Sequence, residues 1–150
     1  MAANIHSDRP AASGRPGQSV AAPMSRPRRA VAHNWIASPC PALRVLAMTD
    51  LVHDPKGGLP RLIEIMRRLR DPATGCPWDL EQSFASIAPY TIEEAYEVAD
   101  AIERAAWDEL KGELGDLLFQ SVFHAQMAEE AGLFDIHDVA DTMSDKMVAR

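Results

Sequence analysis

The sequence predicts an all-α helical bundle with a disordered N-terminal extension, on three observations. After residue 58 the apolar residues recur at helical spacing. No segment there shows the period of two that a half-buried strand needs. Four acids fall in two i, i+3 pairs, Glu94 with Glu97 and Glu113 with Asp116, a spacing that a helix turns into a shared face.

Residues 1–47 differ from the rest. They hold six of the eleven prolines, six arginines and one acid, Asp8, so they carry +5 while the remainder carries −12. This Pro, Ala and Arg mixture has no sustained apolar period, and residues 1–57 are expected to form a disordered extension and linker, ahead of a domain at 58–150. Arg28-Arg29 begins a twin-arginine-like pattern that His33 and Asn34 interrupt. An organelle transit segment and an upstream-extended start, with Met48 as the natural one, are the other readings.

Gly57, Gly58 and Pro60 end the linker, and Leu62, Ile63, Ile65, Met66 and Leu69 place a first helix over about 59–70, with Arg61, Arg67, Arg68 and Arg70 on its wet side or facing phosphate. Asp71-Pro72 closes it, because the residue before proline is driven from the α region. A loop over 71–79 follows, in which Trp78 either plugs the core or stacks on a ligand and Cys76 is a small buried hydrophobe. A second helix lies within 83–106, formed at least from about Thr91, with Pro89 near its start or at a kink. Thr91 and Glu94 fit a capping box there, which gives Glu94 a structural alternative. A third helix runs from Trp107 to about Ala131 and stops at Gly132; Asp135 then caps a last one reaching Arg150.

The composition narrows the function. The net charge of −7 and pI near 5.1 argue against a nucleic-acid-coating surface. No run approaches the roughly 18 apolar residues that cross a bilayer. Cys40 and Cys76 lack zinc or disulfide-framework spacing, which fits a reducing, cytoplasmic setting.

On the third helix, Glu113 and Asp116 border a stripe of Leu110, Leu114, Leu117, Leu118, Ser121 and Ala125, and Phe119 and Phe123 lie on their other side. A solvated face is not bracketed this way. Gly112 and Gly115 predict close approach of another helix. On the second helix, Glu94 and Glu97 adjoin Ala95, Val98 and Ile102. Four carboxylates against apolar walls repel one another unless protonated or joined by a cation, and oxygen-only ligands select Mg2+ or Mn2+ over zinc. Such ions commonly meet phosphates, and Lys146 and Arg150, four apart, could face the same phosphates.

Three stretches, Gly75-Cys76-Pro77-Trp78-Asp79, residues 88–98 (APYTIEEAYEV) and residues 112–120 (GELGDLLFQ), closely resemble the MazG family of nucleoside triphosphate pyrophosphohydrolases. The likeness spans about residues 59–150. It implies an all-α, Mg2+-dependent domain that usually forms a homodimer and hydrolyses an NTP or dNTP to the monophosphate and pyrophosphate. It further implies that Glu94, Glu97, Glu113 and Asp116 are the catalytic metal ligands, and that Lys146 and Arg150 contact phosphates; Trp78 is a substrate-binding candidate by the stacking reading given above. Two departures stand out: residues 1–47 lie outside the pattern, and relatives usually continue beyond the position of Arg150, so a C-terminally truncated domain is one expectation. A non-catalytic helical nucleotide-binding or regulatory module, and a sibling dUTP or phosphoribosyl-ATP pyrophosphohydrolase, are the alternatives.

Overall fold

The computed structural model describes residues 50–149; the expectations for residues 1–49 and for Arg150 lie outside them. A 3-10 turn at Leu51–His53 precedes five helices: α1 (Gly58–Leu69), α2 (Pro77–Glu81), α3 (Phe84–Glu103), α4 (Trp107–Glu130) and α5 (Ile136–Val148). No strand occurs among the described residues, so the all-α class holds.

Helix α4 is central, packing against α3 most extensively and also against α1 and α5. The core is built from Met66 of α1, Ile87 of α3 and Val122, Phe123 and Met127 of α4. Around it pack Leu62, Ile63, Trp78, Tyr90, Phe119 and Ile136. In α1, α3 and α4 the apolar residues recur every three to four positions and one side is buried, whereas among the described residues α5 reaches the core only through Ile136 and leaves Val139, Met143 and Met147 exposed.

Residues 50–53, assigned to the linker by composition, are instead docked on α1. Asp50 takes both arms of the Arg68 guanidinium at 2.5 and 2.6 Å, Val52 is buried, and Arg61 Nε donates to the Val52 carbonyl at 2.7 Å. Composition misses this because the partners lie up to 18 residues away on a helix that has yet to form.

The arginines of α1 are not a phosphate-facing row. Arg67 and Arg68 both hold Glu64, and Arg61 holds the preceding turn. Arg70 is buried, not wet: it forks onto Glu130 at the end of α4, donates to the Asp79 carbonyl, and lies 5.6 Å from the centroid of the Phe123 ring.

The expected loop over 71–79 contains the start of a helix. Pro77 opens α2 at a position where its missing N–H costs nothing, and Asp79 sits in the first turn, where the helix dipole favours an acid. Five residues are too few to show a period, which hides α2 from pattern reading. Gly75 is required just before it: a Cβ there would lie 2.5 Å from the carbonyl oxygens of both Leu69 and Asp71. Cys76 is buried as expected, and burial pushes the pKa of Asp79 up, against the opposing hydrogen bond from Cys76.

Helix α3 starts at Phe84, earlier than Thr91. Ser83 and Ser86 cap it reciprocally at 2.9 and 3.3 Å, and Pro89 lies inside the helix. The Gln82 side chain bridges α2 to α3, donating to the Trp78 carbonyl and accepting from the Ser86 hydroxyl. Arg104 pins the α3–α4 turn through Asp100 and Glu109, both at 2.6 Å. Helix α4 ends at Gly132, whose φ of 69° suits glycine, and Asp135 caps α5 with Asp138 answering, both as the sequence predicts.

Two outcomes follow. Replacing Arg70 by methionine should cost about 2–3 kcal/mol, since charged hydrogen bonds to α2 and α4 are lost, and urea titration will measure it. Glu64 is held at a pKa of about 2 by its hydrogen bond to Arg67, with Arg68 adding to it. Its folded value lies below its unfolded one, so its stabilisation is present above about pH 4.5 and is lost as pH falls toward 2. In Glu64→Gln, acid unfolding curves should therefore lose part of their slope in that window.

Candidate metal centre

The α3–α4 pair is an antiparallel hairpin, so residues late in α3 meet residues early in α4. Three acids converge along this seam, from the middle of α3 and the first half of α4. Glu94 of α3 and Glu113 and Asp116 of α4 each offer a carboxylate oxygen, and these oxygens lie within 4.8 Å of one another. Glu94 is 2% exposed; Glu113 and Asp116 are half-buried.

The capping alternative for Glu94 does not hold. Thr91 is inside α3, with the first turn some seven residues earlier, and its hydroxyl faces His124 Nε2 at 3.0 Å. A capping glutamate stands at the third position of a helix, whereas Glu94 stands mid-helix in the seam with α4.

Glu97, half-buried, follows one turn along α3 and is not among the converging oxygens. Spacing put it on the same face as Glu94, but which member of a pair meets the opposite helix depends on the rotation of the two helices. Lys146 is exposed near the end of α5, and Arg150 lies outside the described residues. Trp78 is half-buried against the core cluster.

The walls of the site differ from the expectation on one side. Phe123 is buried and meets Phe119 edge-on at 6.0 Å. Leu114 and Leu118 are 49% and 44% exposed, and space is open where Cβ atoms of Gly112 and Gly115 would be. The close helix approach expected at those glycines does not occur among the described residues.

Beyond the acids, the seam holds polar residues that sequence reading passed over. Gln120 of α4 is 1% exposed. His124 meets Thr91 and stacks on Phe84, with ring centroids 5.9 Å apart and planes 2° from parallel. Burial lowers the His124 pKa, which favours the neutral ring. The available signal was the i, i+3, i+7 series Glu113, Asp116, Gln120, which shares one helix face.

Two helices thus present an oxygen-only ligand set, partly shielded from water. That chemistry fits a hard divalent cation: the acids are close enough to repel one another, and they supply the oxygen donors that Mg2+ or Mn2+ prefers.

An all-α domain with a carboxylate cluster between antiparallel helices is the class that fold and site define. Residues 82–150 match the MazG nucleotide pyrophosphohydrolase domain. A nucleoside triphosphate pyrophosphohydrolase of Escherichia coli K12 is 63% identical over 92 residues, covering 61% of this chain and 35% of the relative. The nucleoside triphosphate pyrophosphohydrolase/pyrophosphatase MazG of Thermotoga maritima is 49% identical over 89 residues, 59% of this chain and 34% of its own length. A nucleoside triphosphate pyrophosphohydrolase of Mycobacterium tuberculosis is 43% identical over 89 residues, 58% of this chain and 27% of its own. By these matches, residues 82–150 are similar to the MazG nucleotide pyrophosphohydrolase domain and to the corresponding part of these relatives. The chain spans about a third of the length of the first two of these relatives.

Proposed function

We propose that this chain hydrolyses nucleoside triphosphates, NTP or dNTP, to the monophosphate and pyrophosphate, in the cytoplasm, with Mg2+ as its cofactor and Mn2+ as a substitute. The observation that carries the reading is the convergence of Glu94, Glu113 and Asp116 within 4.8 Å from two helices of a MazG-type domain. In this reading those three residues hold the cation and Glu97 joins them from the next turn of α3. The cation, when bound, offsets phosphate charge and makes a water more acidic.

The chain's own groups do the rest. A carboxylate of the cluster takes the proton of the attacking water, and the buried wall behind Glu94 keeps bulk solvent from that proton. Water adds at the α-phosphorus, the bond to the bridging oxygen breaks, and pyrophosphate leaves. Lys146 and Arg150 are assigned to the phosphates as cations of fixed charge. Trp78 packs against the core cluster, and its aromatic ring is assigned to substrate as a stacking surface.

A pyrophosphate-release assay over the common NTPs and dNTPs tests this. The expected result is Mg2+-dependent pyrophosphate, with Glu113→Gln or Glu97→Gln lowering turnover on the order of 10²-fold. Release of orthophosphate, or binding without turnover, would sink it.

A homodimer belongs to the same reading. Leu110, Leu114 and Leu118 form an i, i+4, i+8 ridge on α4, beside the uncovered Gly112 and Gly115. Leu118 continues it into an apolar groove of about 220 Å³ lined by Leu59, Ile63, Ile136 and Val139. A second copy laid on this ridge would bury what the single chain leaves wet, and would meet glycine backbone at close range. Sedimentation should show a dimer at micromolar concentration that Leu114→Glu converts to monomer; a wild-type monomer would remove this part of the reading.

A further inference from the structure

Gln120 carries an observation that the ligand set leaves unexplained. Its Oε1 is buried and accepts no hydrogen bond among the described residues. A buried amide oxygen gives up its water on folding, so without a donor it is worse for stability than an apolar side chain of the same shape. The neighbouring buried residues of α4, Val122, Phe123, Ala125 and Met127, are apolar, and nothing in their packing calls for an amide.

Its place on the helix supplies a reason. Glu113, Asp116 and Gln120 stand at i, i+3 and i+7, so Gln120 continues the acid row one turn further along the seam that Glu94 closes from α3. Four residues of α-helix rise about 6 Å. From the centre of a hydrated hard cation to an acceptor beyond its own water is about 5 Å, the sum of a short metal–oxygen bond and one hydrogen bond. An acceptor one turn from a ligand therefore suits the water of the cation rather than the cation itself.

We propose that Gln120 is a positioning residue whose Oε1 accepts a hydrogen bond from a water of the cation held by Glu94, Glu113 and Asp116, and so orients the hydration shell; this rests on the cation site proposed above. A neutral amide does this without placing a further negative charge beside three crowded carboxylates. No proton changes hands at Gln120. Groups of this kind beyond the direct ligands commonly change metal affinity by 10-fold or more when removed.

Mn2+ titration of the full chain, followed by electron paramagnetic resonance without nucleotide, tests this on wild type, Gln120→Met and Gln120→Glu, alongside thermal unfolding of the metal-free forms. Gln120→Met keeps the volume and loses the acceptor. It should unfold at the same or a higher temperature than wild type, yet bind Mn2+ on the order of 10-fold more weakly. Gln120→Glu keeps an acceptor and should bind at least as tightly as wild type. Wild-type affinity in Gln120→Met overturns the proposal, as does loss of affinity in Gln120→Glu, which alone decides if the methionine variant does not fold. Unchanged Mn2+ affinity with a raised KM for nucleotide also overturns it, by moving the partner of the amide to the substrate. Failure of the wild type itself to bind Mn2+ removes the cation site and Gln120 with it, and is read from the wild-type titration alone.

Discussion

The buried guanidinium of Arg70 is the contact on which the arrangement of this domain depends. It stands at the end of α1 and reaches Glu130 at the far end of α4, the Asp79 carbonyl in α2 and the face of Phe123. Helix α1, its successor α2 and the distant α4 are joined through one planar group with five donors. The cost of burying its charge is offset because the fork is answered on more than one side. With the C-terminal half of α4 held in this way, its N-terminal half is free to carry the acids opposite α3.

The α3–α4 seam changes character along its length. Ile87, Phe123 and Met127 make a dry core at one end; Thr91 and His124 form a polar pair; Glu94, Glu113 and Asp116 follow. The apolar end fixes the spacing of the two helices. The acids, which repel one another, are then kept together by packing supplied elsewhere, an arrangement in which folding energy from one end is used to hold chemistry at the other.

Much of this was readable from residue pattern. The four long helices, the Gly132 stop and the Asp135 cap follow from signals within a few residues of each other. The start of α3 stayed open between Ser83 and Thr91 because Ser83 and Ser86 cap through two short hydroxyls, while Thr91 and Glu94 offered a better-known pairing that the structure does not use. Helix α2 was missed because one turn has no period. Docking of residues 50–53 was missed because it rests on Arg61 and Arg68, which looked like ordinary exposed arginines.

At the site, the sequence by itself determined that Glu94 and Glu97 share one helix face and Glu113 and Asp116 another, since helical geometry relates residues three apart whatever surrounds them. Only the tertiary structure decided that Glu94 meets Glu113 and Asp116 while Glu97 stands one turn off, and that Gln120 joins their row from a buried position. That choice depends on the rotation and axial register of α3 against α4. Those are set by how Ile87, Phe123 and their neighbours interlock, a relation between distant residues that local spacing does not encode.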